Sequence, residues 1–586
     1  MRYFSILFFA LIFVGSTYAQ SPVVWNNTSS SSLENHVLLT EDSRYFELDL
    51  SQLYALTEKA PMEFTSAGRN SQTIINLPLP NGASQSFVLV ESPVMHPKLA
   101  AKYPNLKSYS GHGVNGESGR VFLSVSPYGM IASIQNEAGL SFIDYLEDGS
   151  GLHQTYYFNQ MDHAAYKSLA PPMACGYDPA LSEEHNHDID FNQLASNRSA
   201  TSEQTEIKLY EMALACTGEY GQAKGGTTEA VMAPFVQAMS LLNSVVQPEE
   251  SLKFELIENN DILINLDPAT DFFNNANQGG ALLQQNQNYL NQLIGNNNFD
   301  IGHIFTMACT DVGGVVSGTA CNSPNKGRGV TCHYTNIVNI VYNVMAHEVD
   351  HQFSAGHTWA NCPGIEGQLA SGSAYEPGSG STIMSYLGSC GQENITLGFN
   401  QNNTYYHVKT LEQVLQFSTQ STGATCPDVI PVNNAKPLVT HNHGEGFYIP
   451  KSTAFELEAV ASDADGDDLT YCWEQYDLGP VTSINEAQQE DVTVPLFMSR
   501  APTDKPLRSF PALNLILTNQ SNSGERLPTV GREMNFKCTV RDNHPEAGGW
   551  NSTQVTFNVA QNSGPFAVLF PSSPGDQLEG GQQVTI

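Results

Sequence analysis

HEVDHQFSAGH, residues 347 to 357, is the stretch on which the reading of this chain turns. On a helix, His347 and His351 lie four residues apart, so both imidazoles project from one face and can share a Zn²⁺ ion. Glu348 follows the first of them and lies beside such an ion, where its carboxylate can take a proton from water. The SAG that comes next lets the chain turn, so that His357 can return a third nitrogen to the metal. Three nitrogens leave a fourth position open, which is the arrangement of a catalytic zinc. A structural site would recruit cysteine instead, and it would leave Glu348 without a task.

Upstream, NIVNIVYNVMAHEVDHQF places Ile337, Val341, Val344, Glu348 and His351 along one predicted helical face. Farther back, IKLYEMALAC, LKFELIEN and FDIGHIFTMA read as strands. TTEAVMAPFVQAMSLLNSVV and GGALLQQNQNYLNQLIG read as the helices between them. This alternation predicts an α/β domain over 207–428. Downstream, STIMSYLGSC sets Met384 between Gly380 and Gly388, a spacing suited to a tight turn beneath the metal. Tyr386 lies two residues on, where its phenol can reach the zinc or a substrate oxygen.

The flanking segments have a different texture. Residues 20–162 read as short strands (YFELDL, QTIINLPLP, QSFVLVES, GRVFLSVS, GMIASIQ, LSFIDYL) between turn residues, a compact β-rich domain. Residues 163–206 are polar and proline-punctuated, the composition of a linker. Beyond 429, AFELEAVASDADGDDLTYCWEQYD, RSFPALNLIL, NFKCTVRDN and STQVTFNVA predict an all-β sandwich over 429–563, with Cys472 and Cys538 placed to bridge its sheets. Residues 564–586 read as the start of a further β-module that breaks off in mid-strand. In SDADGDD, Asp463, Asp465 and Asp467 alternate around Gly466, which suits Ca²⁺ or, equally simply, a solvated Asx turn.

Composition narrows the partners. With 25 Lys+Arg against 59 Asp+Glu, the net charge of -34 excludes a surface built to read a nucleic-acid backbone. The start, MRYFSILFFALIFVGSTYA, is basic, then apolar, then small at Ala19, a signal peptide over 1–19. No later apolar stretch predicts a membrane span, so the expected product is secreted, in a compartment that permits disulfides among its ten cysteines.

HEVDHQFSAGH with the turn IMSY resembles the metzincin clan of zinc endopeptidases. FDIGHIFTMACTDVGGVVSGTACNSPNKGRGVT and YEPGSGSTIMSYLGSCG resemble its secreted bacterial reprolysin-like (adamalysin-like) branch. The resemblance implies a mixed sheet with a long zinc-binding helix, His357 as third ligand and Met384 as the methionine of the Met-turn. It also implies a substrate-docking edge strand at Gly313, Gly314, Val315, Val316 and Ser317. A tyrosine at the position of Tyr386 is similar to the astacin and serralysin branches, where it can ligate zinc and stabilise the intermediate. Cys362–Cys390 and Cys321–Cys426 resemble family disulfides, and Cys309–Cys332 is what remains. NLPLPNGASQSFVLVESPVMHPKLAAKYPNLKSYSGHG resembles a propeptide, and the β-sandwich resembles cadherin-like or polycystic-kidney-disease-like modules. Two residues depart from the pattern: Ser354 and Asp350 stand where glycine is usual.

The implied activity is hydrolysis of peptide bonds in extracellular proteins by an enzyme made as a latent precursor. Two other classes stay open: an impaired metzincin fold serving adhesion, and a zinc amidase acting on a non-protein amide. Cys175 has two readings as well. It can cap the zinc as a fourth, inhibitory ligand, or pair with Cys216 as a disulfide.

Overall fold

The computed structural model describes residues 24–27, 43–146, 150–160, 175, 204–307, 309–321, 324–332, 336–395, 404–484, 493–520, 522–566 and 577. The expected leader, most of the expected linker and most of the expected last module lie outside them.

The N-terminal β-rich region is a nine-stranded antiparallel sheet. A meander runs from Ile74–Pro78 through Ser84–Glu91, Lys107–Gly113, Arg120–Ser126, Gly129–Asn136 and Gly139–Tyr145 to Leu152–Tyr157. Arg44–Leu48 and then Trp25–Asn27 add to its far side. Period-2 side-chain alternation gives this sheet two apolar faces. Ala132 and Ile143 point into a core beneath the helix Leu50–Thr57, while Ile131 and Phe142 point into the central domain's core. Lys107–Gly113 carries little strand signal, because KSYSGHG is rich in Ser and Gly; pairing on both sides makes it a strand.

The central sheet is mixed. Leu252–Leu256, Gln204–Cys216, Ile301–Thr306 and Gly329–Cys332 run parallel, and Gly314–Val316 closes one edge antiparallel. The strand Asp428–Ala435 pairs antiparallel with Gln204–Cys216, so the stretch after 428 continues this sheet before the chain enters the sandwich. The 23-residue helix Thr228–Glu250 is long and apolar enough to cross a membrane, but 83% of its apolar window is buried, which marks it as the core helix. The Thr227 hydroxyl accepts from Ala230 N and caps it.

The C-terminal region is a β-sandwich with a three-stranded sheet (Leu438–His441, Phe455–Ser462, Leu507–Phe510) facing a four-stranded one (Tyr448–Pro450, Trp550–Ala560, Glu533–Arg541, Thr470–Gln475). Phe455, Leu457, Trp473, Phe510, Phe536 and Phe557 meet between them. The NLIL read as strand instead lies in the short helix Leu513–Thr518. Buried ion pairs seat this sandwich on the central domain: Arg541 on Glu249 at 2.6 Å, and Lys537 on Glu412.

Candidate metal centre

The zinc-motif helix starts at Asn336, whose side chain accepts from Asn339 N. It runs α-helically over Ile337–Ile340, takes a π turn over Val341–Met345, and resumes over Ala346–Gln352. The extra residue in the π turn shifts the helical phase, so the expected single face from Ile337 to His351 is broken. Tyr342 lies in that turn, its hydroxyl 2.8 Å from the Ser133 hydroxyl and 2.6 Å from that of Ser244. The Phe142 and Phe158 rings pack against it. π turns of this kind recur at functional sites.

The helix ends at Phe353, and Ser354 takes φ of 68°, the left-handed region that favours glycine. Its buried hydroxyl has no hydrogen-bond partner among the described residues. A serine there costs roughly 1–2 kcal/mol of backbone strain, yet the turn is made. Ala355 N returns to Asp350 O at 3.0 Å, and His357 arrives beside the two helical histidines.

The Nε2 atoms of His347, His351 and His357 lie 3.1–3.2 Å from one another. Each Nδ1 faces a backbone carbonyl: Ile383 O at 2.9 Å, Ala355 O at 2.7 Å and Gln368 O at 2.7 Å. A carbonyl only accepts, so every Nδ1 carries the proton and every Nε2 presents a lone pair. Burial pushes His347 down to about 4 and lowers the other two as well, so all three are neutral ligands. Three converging lone pairs repel unless a cation lies between them. Zinc bonded at ~2.0–2.1 Å in tetrahedral geometry spaces its nitrogens about 3.3 Å apart, which these atoms match closely. The residues fit one zinc ion.

Met384 is fully buried in the turn after the motif, with Ile383 O holding His347 and Met384 O accepting from Thr358 N at 3.0 Å. The disulfide Cys362–Cys390 closes the segment between the His357 loop and this turn; Cys309–Cys332 and Cys321–Cys426 are also formed. Tyr386 stacks on His347 and Trp359 and donates from its hydroxyl to Gln368 Oε1 at 2.7 Å. Glu348 lies under the edge strand. A Cβ at Gly314 would meet Glu348 Oε1 at 2.5 Å, so only glycine lets this carboxylate approach the strand. Gly313 O and Ser317 N extend the pairing at either end of Gly314–Val316, to Cys332 and Arg328.

Cys175 completes the cluster: its sulfur and the three imidazoles offer ligand atoms all within 4.8 Å of one another. Its Sγ donates to Glu348 Oε2 at 3.3 Å, its N donates to the Tyr386 hydroxyl at 3.2 Å, and it pairs in parallel with Gly314. Burial pushes Glu348 up to about 8, partly opposed by that S–H bond. Cys175 and Cys216 are not disulfide-bonded; Cys216 Sγ lies against Asn265 O at 3.7 Å.

Two expectations in the sandwich are corrected. Cys472 and Cys538 form no disulfide. They lie on neighbouring strands of one sheet, opposite Thr539 and Trp473 respectively, so their side chains leave opposite faces. In the acidic cluster, Asp465 turns away to accept from Ala435 N at 2.6 Å, and Asp542 from a distant strand end joins Asp463 and Asp467. Residue spacing cannot reveal Asp542, nor the carbonyls of Ile383, Ala355 and Gln368, because long-range folding brings them in.

A parallel-sheet domain with an antiparallel edge strand above a three-histidine zinc helix defines a zinc metallopeptidase. Residues 206–415 match the family model Reprolysin_4, metallo-peptidase family M12B reprolysin-like. No curated protein matches the chain. The central domain is therefore reprolysin-like, a metzincin-type zinc metalloendopeptidase domain whose clustered histidines and Cys175 form a site for one catalytic zinc.

Proposed function

We propose that this endopeptidase is exported as a latent precursor that cleaves extracellular proteins once Cys175 is withdrawn from the zinc. The leader-like first nineteen residues support export. The position of Cys175 supports the rest: its sulfur lies with the three imidazoles, bonds Glu348 and pairs beside Gly314, so that a thiolate there would be a fourth ligand to a bound zinc. On this reading 20–162 is the prodomain, 163–206 the linker that is cut, 207–428 the catalytic domain and 429–563 an accessory module.

His347, His351 and His357 would hold the metal, which when bound would supply a Lewis acid for the scissile carbonyl and the attacking water. Glu348 takes the proton from the attacking water at its carboxylate and hands it to the leaving nitrogen. Tyr386 donates a hydrogen bond toward the oxygen on which charge develops. The turn carrying Met384 supports the His347 ring through Ile383 O. An extended substrate adds to the edge strand Gly313–Ser317, with alternate side chains entering pockets.

Cys175→Ala in the full chain is expected to retain zinc yet cleave unfolded casein without prior processing. X-ray absorption on the wild-type precursor should show one sulfur at roughly 2.3 Å from zinc. An all-nitrogen/oxygen shell, or a variant as silent as its parent, would remove Cys175 from the latency role.

The sandwich is proposed to bind calcium through Asp463, Asp467 and Asp542. Among the described residues, Oδ2 of Asp463 and of Asp467 are buried without hydrogen-bond partners, and repulsion within the cluster adds to burial in pushing Asp467 up to about 7. Calcium at a hundredfold excess over Kd should add about 2.7 kcal/mol. A thermal midpoint that rises with calcium in the wild type and in Asp465→Asn, but not in Asp542→Asn, is the expected result. An identical response in all three would refute this ligand set.

A further inference from the structure

Glu376 is 1% exposed, and its carboxylate has six donors within 3.3 Å, none of them a lysine or arginine. Oε1 meets the Thr358 hydroxyl at 2.7 Å, the Ser385 hydroxyl at 2.7 Å, and Thr382 through its N at 3.3 Å and its hydroxyl at 2.5 Å. Oε2 meets Ser381 through its N at 2.7 Å and its hydroxyl at 2.8 Å. A buried anion is stable when its lone pairs are saturated, and these donors saturate it, with the His407 ring also acting on it electrostatically.

The donors come from two places. Thr358 directly follows the third histidine, and Thr382 and Ser385 bracket Ile383 and Met384. Those two carbonyls hold the His347 ring and the Thr358 backbone. Glu376 N also donates to Thr358 O at 2.8 Å, so backbone and carboxylate grip the same loop. Beyond the clamp, the Ser381 hydroxyl lies 3.1 Å from Ser499 O in the sandwich.

We propose that Glu376 is a positioning residue of the metal centre. Its carboxylate fixes the His357 loop against the turn that orients His347, and so sets the register in which three imidazoles meet. The inference rests on the three-histidine zinc assignment and adds a second layer to it. Gln at this position keeps the shape but offers one acceptor oxygen in place of two. Its NH₂ then faces either the Ser381 donors or the hydroxyls of Thr358, Thr382 and Ser385.

The test is the zinc dissociation constant of the full-length chain, measured by competition with a chromophoric chelator and checked by the visible spectrum of the cobalt-substituted protein. Glu376→Gln is expected to raise the constant about 10–100-fold and to change the cobalt spectrum. Zinc affinity and spectrum unchanged, with only the thermal midpoint lowered, would make Glu376 an ordinary core residue and overturn the proposal. If Glu376→Gln does not fold, Thr358→Val decides: it removes one hydroxyl beside His357, and an unchanged constant there overturns the proposal equally. A wild-type chain that fails to bind zinc would instead overturn the zinc assignment itself.

Discussion

Glu348→Gln should keep one zinc per chain while losing about 10²–10⁴-fold in peptide hydrolysis, the range expected when a positioned proton acceptor is removed. The ligand set is untouched, because all three imidazoles are held by carbonyls that do not involve Glu348. The amide fits the space under Gly314 but cannot take a proton. The measurement pairs elemental analysis with a peptide-cleavage assay on processed enzyme. Wild-type turnover in the variant would eliminate the proton-transfer role. In the same assay Tyr386→Phe should lower kcat about tenfold with KM unchanged, since the hydroxyl acts on developing charge and not on substrate binding. An unchanged kcat would leave that hydroxyl as a structural partner of Gln368.

Arg541→Ala should destabilise the folded chain by about 3–5 kcal/mol, the usual consequence of stripping one partner from a buried ion pair. Its Nε and Nη2 meet the two oxygens of Glu249 at 2.9 and 2.6 Å, and Nη2 also reaches Tyr406 O at 3.2 Å. Losing the guanidinium leaves Glu249 buried next to Glu250. Burial and the neighbouring Asp350 and Glu249 already push Glu250 well above the ordinary carboxylate range. Guanidinium denaturation of wild type and variant supplies the comparison. The double variant Glu249→Met/Arg541→Met should lose less than Arg541→Ala alone, because no charge is then left unpaired. A loss under about 1 kcal/mol in Arg541→Ala would mean that this pair does not tie the sandwich to the central domain.

The zinc centre was legible because its chemistry is local. The i, i+4 spacing of His347 and His351 follows from helix geometry, and the short turn to His357 needs only a flexible link. The strand and helix alternation of the central domain was legible for the same reason, as was the strand rhythm on either side of it. Ser354 shows the limit of that kind of reading. It departs from the expected glycine, and only the folded chain shows that it takes the left-handed turn and still delivers His357.

Other features depended on contacts between residues far apart in the chain. The π turn at Val341–Met345 packs against Phe142 and Phe158, and no periodicity in its own sequence announces it. The spacing of Cys472 and Cys538 was compatible with a disulfide until strand register placed them on opposite faces of one sheet. Asp465 stands in the same acidic run as Asp463 and Asp467, yet its carboxylate is drawn to Ala435 N, and it is Asp542 that lies with those two. Glu376 sat in full view within YEPGSGSTIMSY, yet its role required Thr358, Ser381, Thr382 and Ser385 to converge on it. The sequence by itself determined the groups that a helix or a short turn brings together: three histidines, their glutamate, and the order of strands and helices around them. Only the tertiary structure decided what surrounds that centre. Strand register, the seating of the sandwich and the approach of Cys175 depend on close packing between distant segments, and one residue's shift along a strand turns every side chain to the other face.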